Sequence, residues 1–183
     1  MHEEVIFAGF GGQGVLSMGQ VLAYSGIIEN REVCWMPSYG PEMRGGTSNC
    51  IVTVSSNEIS SPIIGKFDTV VVLNQPSLDK FEHSVKTGGT LIYDSTNIIE
   101  PPTRTDITIV PVAASEEAVV MKNTKIMNMI VLGAFLAVRQ TVKIETVLEA
   151  LKKVLPERHH HLIPLNEQAL LRGRDLALEA IAA

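Results

Sequence analysis

A glycine-rich turn between an apolar run and a helical pattern limits what this chain can fold into. Val5-Ile6-Phe7-Ala8 is a short apolar stretch with no period of its own, which reads as a buried strand. Gly9-Phe10-Gly11-Gly12-Gln13-Gly14 follows at once and has the spacing G-x-G-x-x-G. Val15, Met18, Val21, Leu22, Ser25 and Ile28 then recur at helical spacing, so Val15 to Ile28 is predicted as a helix. Glu32 to Met36 is a second strand, ended by Pro37. Strand, glycine turn, helix and strand make one βαβ unit.

The rest of the chain continues the alternation. Ser38 to Gly46 is a loop with three glycines and a proline. Thr47 to Val54 and Glu58 to Ile63 read as strands, paired as a hairpin turning at Ser56-Asn57. Thr69 to Leu73 is β-branched and is predicted as a central parallel strand. A helix opens at Pro76 and runs to about Val85. Gly88-Gly89 is predicted to turn into a strand over Thr90 to Asp94, and Ile107 to Val112 is the last strand. Helices are expected over Ala113 to Met121, Ile126 to Arg139, Ile144 to Leu155 and Asn166 to Ile181. Such alternation predicts an α/β fold: a three-layer α/β/α arrangement with a mostly parallel sheet, mixed because of the hairpin. No repeat, low-complexity tract or linker interrupts it, so residues 1–183 read as one domain.

Composition removes several classes of function. A net charge of −5 leaves no basic footprint for nucleic acid. Cys34 and Cys50 are the two cysteines, and they form no C-x-x-C pair for zinc or a cluster. Two free thiols suit a reducing cytoplasm. The acidic start, Met1-His2-Glu3-Glu4, is not a signal peptide. The longest nearly apolar run, Ile126 to Val138, is too short to span a bilayer.

The glycine loop has two readings. A diphosphate can lie against glycine backbone at a helix N-terminus, where unpaired N–H groups and a partial positive charge meet it. Alternatively, the glycines only permit a tight turn and close packing. A nicotinamide or flavin dinucleotide is a narrower claim, because that fold holds the ribose with an acidic residue at the end of the second strand. Cys34-Trp35-Met36-Pro37 occupies that place, which makes a free-standing NAD(P)- or FAD-dependent dehydrogenase the second choice.

Ser38-Tyr39-Gly40-Pro41-Glu42-Met43-Arg44-Gly45-Gly46 is the other informative stretch. Arg44 is able to hold a carboxylate or phosphate in two-point fashion. The plainer alternative is a surface pair with Glu42, worth little. This loop together with Phe7-Ala8-Gly9-Phe10-Gly11-Gly12-Gln13-Gly14 resembles the gamma subunit of 2-oxoacid:ferredoxin oxidoreductases. The resemblance continues through Ile59 to Pro62, Asp68 to Gln75 and Asn128 to Ala134, and weakens after Lys143.

That resemblance implies oxidative decarboxylation of a 2-oxoacid with coenzyme A, with 2-oxoglutarate the first choice. It also implies division of labour, with thiamine diphosphate and iron–sulfur clusters on alpha and beta partner subunits and a ferredoxin-like delta subunit as a further partner. The chain agrees in lacking a thiamine motif and cluster cysteines, so it carries no catalytic residue and is expected to be inactive alone. The resemblance places coenzyme A on Gly9, Gly11, Gly12, Gln13, Gly14 and Arg44. It makes Tyr39, Pro41, Glu42, Met43 and Arg44 the partner interface. A non-catalytic assembly module remains a third reading.

The remaining features have plainer readings. His159-His160-His161 point in different directions along the chain and read as a solvated or interface turn, not a metal site. Met127 and Met129 read as helix core. Asn74 and Asn128, in apolar segments, are expected to support loops by hydrogen bonds.

Overall fold

The computed structural model describes residues 1–38, 46–61 and 63–182. The strands are β1 (His2–Phe10), β2 (Glu32–Pro37), β3 (Thr47–Ser55), β4 (Phe67–Val72), β5 (Val85–Asp94) and β6 (Thr108–Val112). The helices are α1 (Val15–Ile28), α2 (Gln75–Phe81), α3 (Ala114–Val120), α4 (Met127–Arg139), α5 (Ile144–Val154) and α6 (Ile163–Ala182). The sheet order is β2-β3-β1-β4-β5-β6. β4 runs parallel to both β1 and β5, and β5 parallel to β6. β3 runs against both β1 and β2, so it alone opposes the other five. The result is the expected three-layer α/β/α fold with a mostly parallel, mixed sheet.

The buried run in β1 shows why it carries no period. Val5 and Phe7 point into the larger core with α1, α4, α5 and α6. Ile6 and Ala8 point into a smaller core closed by Leu78 of α2. A strand covered on both faces is apolar at every position. In the larger core the rings of Phe7 and Phe135 meet nearly edge-on at 5.7 Å. No helix among the described residues is long and apolar enough to cross a membrane.

The expected hairpin of Thr47–Val54 with Glu58–Ile63 does not form. β3 extends to Ser55, which pairs with His2 of β1 and with Glu32 of β2, so neither edge of β3 is open to a further strand. Residues 58–61 have no regular structure. Gly88-Gly89 is not a turn before the strand but lies inside β5. There the pairing slips from Phe67↔Val85 to Thr69↔Thr90, and Gly88 takes a φ of +75°. Glycine permits this bulge because it has no Cβ. α6 begins three residues before the expected Asn166.

Two glycines set the distance between α4 and α6. A Cβ on Gly133 would lie 2.0 Å from the Leu170 carbonyl oxygen, and one on Gly173 would lie 1.8 Å from that of Ile130. The helices touch backbone to backbone, so neither position has a flexible side chain that could give way.

Across the sheet, Glu3 is buried beneath the end of α4. Arg139 donates to Glu3 Oε2 from Nε at 2.9 Å and from Nη2 at 2.7 Å, and Thr69 Oγ1 donates to Oε1 at 2.6 Å. Burial pushes the Glu3 carboxyl above its ordinary value, and the bonds from Arg139 and Thr69 oppose that rise.

Gly173→Ala should cost about 3 kcal/mol or more, because backbone must move. Gly65→Ala, in open space, should be nearly neutral. Urea unfolding compares the two, and equal midpoints would contradict the close crossing. Arg139→Met should cost about 3–5 kcal/mol at neutral pH, since it strands a buried carboxylate. Because the folded Glu3 carboxyl titrates above its unfolded counterpart, its favourable contribution is complete below the ordinary carboxylate value. That contribution is lost as pH rises through the folded value. The Arg139→Met deficit should therefore shrink on acidification, and a deficit that is the same at pH 4 and pH 7 would refute this account.

Candidate functional site

The crossover from β1 through α1 leads to β2, and that from β4 through α2 leads to β5. These run to opposite sides of the sheet and over opposite faces. The carboxyl ends of β1 and β4 therefore flank a topological switch point, where open α/β sheets bind ligands. The glycine loop stands at this point.

Three glycines of the loop, Gly9, Gly12 and Gly14, answer two kinds of constraint. A Cβ on Gly9 would lie 2.7 Å from Gln13 Oε1 and 3.1 Å from Leu73 Cβ. One on Gly14 would lie 2.5 Å from Asn128 Nδ2, and Gly14 has a φ of +78°. Gly12 has a φ of +96° yet nothing within 4 Å of its Cβ direction. Gly9 and Gly14 thus serve packing, whereas Gly12 faces open space and owes its identity to its backbone angle. The Gly11 N–H donates to the Gly46 carbonyl at 3.2 Å, which brings the end of the second loop against the first. Gly46 leads directly into β3, whose Thr47 pairs with Phe10. β3 separates β2 from β1, so the two loops adjoin through the start of β3 and not through neighbouring parallel strands.

Gln13 turns inward. Its Oε1 accepts from the Phe10 N–H at 2.6 Å and from Asn74 Nδ2 at 3.3 Å, and its Nε2 donates to the Leu73 carbonyl at 3.4 Å. Asn74 also accepts from the Ser77 N–H at 2.9 Å and so caps α2. The chain Phe10–Gln13–Asn74–Ser77 ties the loop to the end of β4. Asn74 supports the loop as the sequence suggested, whereas Asn128 does so by packing against Gly14.

The start of α1 favours an anion. Gly14 is its N-cap and supplies no side-chain oxygen, the first turn carries no acidic residue, and the first helical bond is Met18 N–H to the Gly14 carbonyl at 3.0 Å. The N–H groups of the first turn have no intrahelical acceptor and carry the positive end of the helix dipole. Tyr39, Pro41, Glu42, Met43 and Arg44 lie outside the described residues.

A groove of about 470 Å³ opens beside the loop, between α1, the start of α4 and the chain joining α5 to α6. Sequence reasoning did not find it. Its asparagines, Asn123, Asn128 and Asn166, are scattered along the chain and form no motif. Another cavity, of about 570 Å³, lies by Glu29 and Arg174 at the carboxyl ends of α1 and α4, away from the loop. Glu29 there accepts from the Lys143 N–H and from Thr146 Oγ1, both at 2.8 Å, and so braces the start of α5. His160 bonds the Leu155 carbonyl at 3.0 Å. Among the described residues, no three His, Cys, Asp or Glu side chains converge on a metal position. Burial pushes the Cys50 thiol up to about 12, which makes it a packing group and not a nucleophile.

Fold and loop together define an α/β domain with an anion-ready glycine turn at its switch point. Residues 4–176 match the family model described as pyruvate ferredoxin/flavodoxin oxidoreductase, and the chain belongs to that family. It is 40% identical over 178 residues to ketoisovalerate oxidoreductase subunit VorA of Methanothermobacter thermautotrophicus, covering 97% of this chain and 37% of VorA. The chain thus spans little more than a third of that relative. It is 31% identical to 2-oxoglutarate synthase subunit KorC of Methanocaldococcus jannaschii, covering 86% of each. The keto/oxoacid ferredoxin oxidoreductase gamma subunit of Geobacter sulfurreducens superposes with a TM-score of 0.85 at 26% identity, covering 98% of both chains. The fold also recurs, with a TM-score of 0.88 at 23% identity, in 31% of a chain of the Magnetococcus marinus 2-oxoglutarate:ferredoxin oxidoreductase. That structure was solved with 2-oxoglutarate, coenzyme A and succinyl-CoA bound.

Asn74→Ala should cost about 1–2 kcal/mol through the lost cap of α2. It should also speed hydrogen exchange at the Phe10 amide, because Gln13 loses a partner. Exchange and unfolding at wild-type values would show that the Gln13–Asn74 link does not brace the loop.

Proposed function

We propose that this chain is the gamma subunit of a 2-oxoacid:ferredoxin oxidoreductase. In the reaction, a 2-oxoacid is oxidatively decarboxylated with coenzyme A and two electrons pass to ferredoxin. The observation that carries this reading is the family match over residues 4–176, together with relatives of similar length that are themselves subunits. The chain works as one part of a complex in the cytoplasm, as a single domain over residues 1–183, and is inactive alone. Alpha and beta subunits supply thiamine diphosphate and the iron–sulfur clusters, and a ferredoxin-like delta subunit completes the set.

Coenzyme A is bound in the M. marinus structure, and here its diphosphate suits Gly11, Gly12 and Gly14. Gly12 leaves its approach open, and the first turn of α1 offers free amides. Gly9 and Gln13 serve the site by shaping the loop. Arg44 adds a fork of donors for a phosphate or for a partner carboxylate. Tyr39, Pro41, Glu42 and Met43 form the contact with the catalytic partner. 2-Oxoglutarate is the proposed substrate, because the KorC relatives share this chain's length. The higher identity to VorA favours a branched-chain 2-oxoacid as the second reading. A free-standing dehydrogenase finds no support, since β2 ends in Met36-Pro37 with no acidic residue to hold a ribose.

In the purified complex, Gly12→Val should raise the KM for coenzyme A about tenfold or more while leaving subunit assembly intact. The folding cost should stay near 1–2 kcal/mol, because the substitution meets strain in φ but no neighbour. An unchanged KM in an assembled complex would show that the glycine turn only packs. A panel of 2-oxoacids with the same preparation distinguishes the two substrate readings.

A further inference from the structure

The cavity of about 570 Å³ at the carboxyl ends of α1 and α4 takes no part in the site at the glycine loop, from which the length of α1 separates it. Its volume falls in the range of small-molecule sites, which join mostly apolar walls to a few polar groups. The packing of the helices builds such walls. Gly173 brings α6 against the backbone of α4. The next residue, Arg174, and Leu178 one turn on then line the cavity beside Leu136 of α4. Val142 and Ile144, at the joint between α4 and α5, complete the apolar wall. Leu178 is an exposed leucine, so part of this wall faces solvent.

One polar group of the wall is left without a partner. Thr141 is 1% exposed and lines the cavity, and among the described residues its hydroxyl makes no hydrogen bond. A buried hydroxyl in this state carries a free-energy cost that a bond to a ligand oxygen would remove.

Charge selects the kind of ligand. Arg31, Lys143 and Arg174 line the cavity against Glu29 and Glu145, a surplus of one positive charge in a chain whose net charge is −5. Glu29 is already engaged by the Lys143 N–H and by Thr146 Oγ1. Among the described residues, neither Arg31 nor Lys143 pairs with a carboxylate. Arg174 pairs only with its chain neighbour Asp175, at 2.9 Å on the surface, a contact worth little. An apolar wall beside one surplus positive charge suits a singly charged anion with a hydrocarbon body, and a guanidinium fork matches a carboxylate.

We propose that this cavity binds an amphipathic monocarboxylate. Its hydrocarbon chain lies against Leu136, Val142, Ile144 and Leu178, its carboxylate lies among Arg31, Lys143 and Arg174, and the Thr141 hydroxyl is a further donor to it.

Isothermal titration of the full chain with octanoate tests this site, with octylamine as the probe of equal chain length and opposite charge. Octanoate should bind saturably and octylamine should not. Leu178→Asp and Arg174→Gln, at positions open to solvent, should each weaken octanoate binding about tenfold or more with unchanged melting curves. Thr141→Val keeps the shape of the side chain and removes a hydroxyl that the free chain leaves unpaired. It should therefore melt at or above the wild-type temperature and yet bind octanoate about threefold or more weakly. No saturable binding of octanoate up to about 10 mM, equal binding of octylamine, or wild-type affinity in both Leu178→Asp and Arg174→Gln overturns the site. Wild-type affinity in Thr141→Val alone removes the hydroxyl from it.

Discussion

Nine consecutive residue pairs, from His2↔Ser55 to Phe10↔Thr47, join β1 to the strand that runs against it. That ladder displaces β2 outward by one position and leaves β1 and β4 as the neighbours from which the two crossovers diverge. The position of the switch point and the contact of the two loops at Gly11 and Gly46 both depend on it. An antiparallel strand needs only a loop from its predecessor, whereas a parallel one needs a crossover. The stretch between Pro37 and Thr47 is too short for a crossover, so the chain turned back.

Much of this was legible in the residues. α1 has the bounds that its periodicity and its preceding glycines predict, because both local signals agree. The alternation of strands and helices led to the right fold class. What failed was non-local. A glycine pair at 88–89 looks the same before a strand as inside a bulge, and only the pairing partner decides between them. The run from Glu58 resembles a strand by composition, but a strand needs an open edge, and β3 had none left. Within the site, glycine spacing located the loop but did not separate the open glycine from the packed ones, since that difference lies in Asn128 and Leu73, both distant in sequence. The groove escaped for the same reason.

The two faces of the sheet are unequally dressed. Five helices, α1 and α3 to α6, cover one face, and α2 with the segment around Ile64 covers the other. The thicker layer depends on α4 and α6 meeting at glycine, which seats α6 directly against α4. That approach sets the width of the groove, because α6 and the chain before it form its outer wall.

The inward turn of Gln13 bears on how tightly such a small turn can hold a charged guest. Its carboxamide is engaged on both ends by Phe10, Leu73 and Asn74 before any guest arrives. An incoming anion therefore meets amides already aimed, and little freedom of the loop remains to be lost on contact. A turn of this kind would owe any grip on a charged guest to rigidity inherited from the sheet beneath, through the β4–α2 joint at Leu73 and Asn74.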